Sequence, residues 1–162
     1  MSEQKAGAAQ GQFAIQKVYL KDVSFESPAS PEIFTKKWDP EVNMEINTAS
    51  KTIADDVIEV VLRLTITVKL GEQIAYLTEI QQAGIFTIKG LTEAEKGRVT
   101  ATACPNILFP FGREAVADVV SKGGFPQLLL APVNFEAIYA QHQAQQAKAK
   151  EEQGQAPSDA VH

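Results

Sequence analysis

The chain has 162 residues, 44% of them hydrophobic and 22% charged, with a formal net charge of -5 and a pI near 5.1. That length suits one domain with a packed core, and a mildly acidic chain without a Lys/Arg cluster has nothing to neutralise phosphates, which excludes nucleic acid as an expected partner. Cys104 is the single cysteine, so an intrachain disulfide or an all-thiolate metal cage is excluded and a reducing compartment is expected.

The opening MSEQKAGAAQGQ lacks a basic segment followed by an apolar run, and no apolar stretch approaches the ~20 residues of a membrane span. A cytoplasmic protein with no direct membrane insertion is expected, its residues 1–12 forming a disordered N-terminal tail too poor in apolar groups to repay ordering. From Phe13 to Glu26 the pattern is strand-like but divided. Phe13 and Ile15 share parity with Val23 and Phe25, whereas Val18 and Leu20 have the opposite parity. Either a bulge or burial on both sides against a second subunit reconciles this. Asp22, Ser24 and Glu26 share one face, the two acids about 13 Å apart at ~3.3 Å per residue, a spacing that by itself reads as a solvated edge.

Residues 27–41, with Pro28, Pro31 and Pro40, read as a long surface connection. Its Ile33, Phe34 and Trp38 each suit a cap over the core, and together they suit the wall of an apolar groove. Val42 to Ser50 alternates again and is a further strand. Asp56 to Gly90 is the most regular stretch, two long strands folded back on each other: the even positions from Ile58 to Leu70 are all apolar, and Glu59, Arg63, Thr65, Thr67 and Lys69 lie between them. The second half keeps this phase through Ile74, Tyr76, Ile80, Phe86 and Ile88 but places Leu77 on the polar face beside Glu79. For even residues to line the core on both strands, the loop must hold an odd number of residues or the ladder must contain a bulge. The parity predicts a three-residue loop, Gly71 to Gln73.

Thr92 with Glu95 has capping-box spacing and opens a helix expected to reach about Cys104, before Pro105. Leu108, Phe111, Ala115 and Val119 recur at helical spacing, predicting a second helix over roughly 106–121, bent or started at Pro110 and stopped by Gly123-Gly124. An extended apolar stretch follows, and Asn134 caps a last helix carrying Phe135, Ile138 and Tyr139. Beyond Tyr139 the apolar face ends, so the helix is expected to fray and residues 142–162 to form a polar tail around a domain of residues 13–141.

No catalytic constellation assembles. His142 and His162 lie in the polar C-terminal region and read as solvated, Cys104 has no histidine in the folded region to activate it, and Asp55-Asp56 point to opposite faces and read as strand punctuation. There is no Gly-rich phosphate loop, HExxH or CxxC. A binding protein without cofactor or metal is favoured over an enzyme, and the apolar excess at Ile33, Phe34, Trp38, Leu77, Phe86, Phe109 and Phe111 points to binding and self-association.

IQKVYLKDVSFESP, PEVNMEINTAS, ADDVIEVVLRLTITVKLGE, EIQQAGIFTI, CPNILFPFGREAV and FPQLLLAPVNFEAIY, in this order and spacing, closely resemble the SecB family of bacterial protein-export chaperones over roughly Ile15 to Gln141. The resemblance implies an α+β subunit with a four-stranded antiparallel sheet and helices packed on one face, assembling as a homotetramer, a dimer of dimers. It implies a non-enzymatic, ATP-independent holding chaperone that binds unfolded precursor proteins in apolar grooves and delivers them to the SecA motor. By motif match it carries SecA binding onto Asp22, Glu26, Leu77 and Glu79. It carries client-groove positions onto Ile33, Phe34, Trp38, Phe86, Phe109, Phe135 and Tyr139. A small-ligand or hot-dog-like enzyme domain and a purely structural oligomerisation domain remain the rival classes, separable by closed-pocket binding and by absence of affinity for unfolded chains.

Overall fold

A computed structural model describes residues 11–154. The elements are β1 (Gln12–Glu26), β2 (Glu41–Ala54), β3 (Val57–Leu70), β4 (Gln73–Lys89), α1 (Glu93–Ala101), α2 (Ala103–Lys122) and α3 (Phe135–Gly154), with one turn of 3-10 helix at Glu32–Thr35. The strands form one antiparallel sheet in the order β1-β4-β3-β2.

The period-2 pattern of β3 is realised directly. Val60, Leu62, Leu64, Ile66 and Val68 are fully buried beneath the helices, and the odd-numbered side chains form an open face. Complete burial of such side chains contributes roughly 1.5–3 kcal/mol each. Helix α2 covers the even-numbered face with Leu108, Val116 and Val120. It can lie close because Gly112 faces the sheet: a Cβ there would stand 3.0 Å from Leu64 Cδ1.

The β3–β4 turn corrects the expected loop. It holds two residues, Gly71 and Glu72, with Leu70 opposite Gln73 and Gly71 at φ 61°, a left-handed conformation that favours glycine. Parity is restored by the ladder instead. Lys69 faces Ile74 but Val68 faces Tyr76, so Ala75 is the extra residue of a bulge, and Leu77 and Glu79 regain the open face. Asp55-Asp56 do punctuate the β2–β3 turn, with Asp56 at φ 58°.

The sheet order follows from the position of β1. That strand pairs with β4, at the opposite edge from β2, so residues 27–40 carry the chain across the sheet's full width. Three strand spacings of ~4.8 Å require about 14 Å, which this connection readily spans. The crossover is anchored by Ile33, by Ser27 Oγ donating to the Ala75 carbonyl at 3.1 Å, and by Lys36 donating to Gln73.

The capping box at Thr92 is present, Glu95 N donating to Thr92 Oγ1 and Thr92 N to Glu95 Oε2. The break between α1 and α2 falls at Thr102 (φ -121°, ψ -68°), earlier than expected, leaving Cys104 and Pro105 in the first turn of α2. Pro105 is tolerated there because the first amides of a helix have no intrahelical acceptor. Pro110 lies inside α2, and Gly123-Gly124 end it, Gly124 at φ 87°. Asn134 Oδ1 accepts from Ala137 N and caps α3 as expected. Helix α3 does not stop near Tyr139: it runs on to Gly154 as an exposed polar helix, since Ala, Gln, Lys and Glu sustain helix without an apolar face. Of the expected N-terminal tail only Gly11 and Gln12 are described, and Gln12 already pairs with Lys89. The rest of that tail, and the polar tail beyond Gly154, lie outside the described residues.

Candidate docking face and apolar surfaces

The divided pattern of β1 is resolved by two bulges. The register runs Ile15 to Phe86 but Lys17 to Ile85, leaving Gln16 extra, and Leu20 to Gln82 but Asp22 to Gln81, leaving Lys21 extra. Each extra residue reverses side-chain parity. Phe13, Ile15, Val18, Leu20, Val23 and Phe25 therefore all fall on the helix side, and Asp22, Ser24 and Glu26 on the open face. There Glu26 is opposite Leu77, Ser24 opposite Glu79, and Asp22 opposite Gln81. Asp22 and Glu26 are exposed, and Leu77 and Glu79 half-buried. Glu79 is steadied by Arg63 Nε at 3.6 Å and by Gln81 Nε2 at 3.4 Å. The four residues assigned to docking thus share one face of the sheet, on β1 and β4.

Farther along this face, Tyr19 donates its phenol to Glu59, and Lys21 Nζ reaches both Glu59 oxygens at 2.8 and 3.1 Å. Bonds from Lys21 and Tyr19 hold the Glu59 carboxyl below its ordinary range, while burial and the Glu59 bond push the Tyr19 phenol up to about 12. Glu59 thereby ties the bulged edge strand to β3, across β4.

The groove positions separate by depth. Phe34 is 50% exposed and Trp38 and Tyr139 are half-buried, so these three present surface. Ile33, Phe109 and Phe135 are buried in the core, Phe109 and Phe135 in edge contact with centroids 6.0 Å apart. Phe86 has the parity of the core and lies there, fully buried and stacked on Phe13 at 5.6 Å, presenting no surface of its own. One residue was missed: Phe125, just past α2, is the hub of an aromatic cluster, with ring centroids 4.8 Å from Tyr76, 4.9 Å from Phe34, 5.7 Å from Trp38 and 6.3 Å from Phe25. Its local sequence, between two glycines and a proline, carries no sign of that role. A shallow depression of about 320 Å³ runs between β2 and α3, lined by Ile46, Ala101, Phe135, Ile138 and Tyr139 among others. His142 borders it and is exposed. Cys104 is fully buried, and burial pushes its thiol up to about 12, which leaves it an inert core group.

A further apolar strip lies on the β1 edge. Phe13, Ile15, Leu20 and Val23 are 41–50% exposed on the helix side, and Phe111 of α2 is 46% exposed. Among the described residues, no helix is long and apolar enough to cross a membrane.

Residues 6–146 match the family model described as preprotein translocase subunit SecB. Among curated relatives, the protein-export protein SecB of Nitrosococcus oceani is 57% identical over 142 residues, covering 86% of this chain and 87% of its own length. That of Marinobacter nauticus is 50% identical over 153 residues, covering 94% and 92%. Among solved structures, a Mycobacterium tuberculosis SecB-like chaperone in complex with an antitoxin peptide has a TM-score of 0.64 at 18% identity, covering 75% of this chain and 91% of that one, and is alike in fold. With its match to the family model across nearly the whole domain, the chain belongs to the SecB family.

Proposed function

We propose that the protein is an ATP-independent holding chaperone of protein export, without enzymatic activity or cofactor, which acts in the cytoplasm. It keeps unfolded precursor proteins competent for translocation and delivers them to the SecA motor. The observation that carries this reading is the separation of two chemistries by one sheet. The open face presents Asp22, Glu26 and Glu79 around Leu77, whereas Phe34, Trp38 and Tyr139 lie at apolar surfaces of the crossover and helices. An unfolded chain offers many apolar side chains, and a shallow apolar surface holds them by numerous weak contacts without demanding one sequence. An acidic face suits a basic segment with an apolar residue to cover Leu77, and such docking weakens with salt. The exposed apolar strip of β1, continued by Phe111, supports assembly into a homotetramer, a dimer of dimers, because strips of that kind are ordinarily covered by a partner.

The test is to dilute a slow-folding, unfolded precursor into the purified protein without ATP. Refolding should be arrested at stoichiometric oligomer and released on adding SecA. Unaltered refolding at that ratio removes the chaperone reading.

A further inference from the structure

We propose that Gln82, on the buried side of the sheet, is a positioning residue for the docking acids: with Thr78 it holds the bulge at Lys21 that turns Asp22 and Glu26 onto the open face. This inference rests on the docking role given to that face. Without the bulge, Lys21 rather than Asp22 would stand opposite Gln81, and every later side chain of β1 would change sides. Asp22 and Glu26 would then point under the sheet, toward the side of Ile80, Thr78 and Tyr76, while Val23 and Phe25 would take their places outside.

A bulge leaves one residue outside the ladder, so the strand needs other ties to keep it in place. Two come from buried side chains of β4 on the helix side. Gln82 is 4% exposed and its Nε2 donates to the Tyr19 carbonyl at 3.0 Å, just before the bulge. Thr78 is 2% exposed and its Oγ1 donates to the Ser24 carbonyl at 2.8 Å, just after it. A third tie comes from the bulged residue itself, whose ammonium binds Glu59 on the open face.

Gln82 stands out for its setting. Its register neighbours are Leu20 and Leu62, and Gly112 of α2 lies above it, where a Cβ would come 3.6 Å from the Gln82 Cβ. For core packing alone an apolar residue would serve better there, since a buried amide costs free energy unless it is bonded. Its bond is to the backbone beside the bulge. Gln82 also cannot meet a partner on the open face, which lies on the other side of the sheet, so any effect on docking is indirect, and its bond to the Tyr19 carbonyl links it to β1.

The experiment uses the full chain with Gln82→Leu, wild type and Glu79→Lys as references. In the free protein, backbone amides of residues 20–24 should exchange about tenfold faster in Gln82→Leu, and SecA affinity at low salt should fall about five- to tenfold with a shallower salt dependence. Client holding should be unchanged, which separates lost positioning from general loosening of the subunit. Wild-type exchange at residues 20–24, or faster exchange with undiminished docking, overturns the proposal. Should Gln82→Leu not fold, Thr78→Val provides the same readouts around Ser24 and is judged identically. If Glu79→Lys binds SecA as wild type does, the docking reading itself is what fails. If Glu79→Lys loses affinity and Gln82→Leu does not, the positioning role alone fails.

Discussion

Replacing Phe125 by alanine tests whether the surface aromatics act as a supported unit. Phe125 is 6% exposed, and its ring lies within 4.8–6.3 Å of Tyr76, Phe34, Trp38 and Phe25, centroid to centroid. Truncating a buried Phe to Ala costs about 3–5 kcal/mol, the loss of its ring contacts included, so the expectation is about 4 kcal/mol. In urea, with a slope of about 2 kcal/mol/M for a chain of this size, the unfolding midpoint should fall by about 2 M. Wild type and variant must be compared at one protein concentration, because association adds to apparent stability. Phe125→Leu, which keeps most of the volume but none of the ring contacts, should cost about 1–2 kcal/mol. Under conditions where both variants remain folded, Phe125→Ala should also weaken client holding several-fold, since Phe34 and Trp38 lose the ring they rest on, while SecA affinity stays constant. A destabilisation below about 1.5 kcal/mol for Phe125→Ala, or no loss for Phe125→Leu, would show that the rings do not act together.

Glu79→Lys reverses a charge beside Arg63 and inside the acidic face. It should reduce SecA affinity about 30-fold at low salt, the gap narrowing as salt rises, with oligomer mass and client binding intact, as read by calorimetry and light scattering. Glu59 has a depressed pKa in the fold, so its stabilisation is complete above the unfolded-state value and is lost as pH falls through the folded one. The stability gap between wild type and Glu59→Gln should therefore be present at neutral pH and close in acid, and it should be under about 1 kcal/mol because Lys21 is well exposed. A gap that widens in acid contradicts the assignment. Cys104, its thiol raised to about 12 by burial, should resist a thiol-specific disulfide reagent at pH 8 in the native protein and react promptly in denaturant. Stoichiometric native labelling would refute its burial.

The hairpin was legible because its information is local. In β3 and β4 each side chain's face follows from its parity, and Leu77 showed itself by breaking the pattern two residues from Glu79. The capping box at Thr92, the Asn134 cap and the Gly123-Gly124 stop were legible for the same reason, each being a motif read within a few residues. What local pattern could not choose was the way a parity conflict would be resolved. At the β3–β4 turn both an odd loop and a bulge satisfied the alternation. The two-residue turn with a bulge at Ala75 prevailed, placing Gly71 where a positive φ is needed.

The candidate site was legible to a lesser degree, since it depends on residues distant in sequence. Nothing in FPQLLL announces that Phe125 will meet rings from β1, the crossover and β4, and nothing in the alternation of β4 explains why an amide stands at Gln82 among aliphatic neighbours. Both become intelligible once β1 is known to lie against β4 rather than β2. That pairing supplies the backbone carbonyls which Gln82 and Thr78 bind, and it brings Asp22 and Glu26 beside Leu77 and Glu79. Phe86 illustrates the converse. Its type suggested a groove, but its even parity already assigned it to the core, and in a strand with one covered face parity outweighs residue type because a single-residue change of side would exchange the entire buried set. The same rule applies at the bulge at Lys21: one extra residue decides whether two carboxylates stand on the open face or against the hydrophobic core.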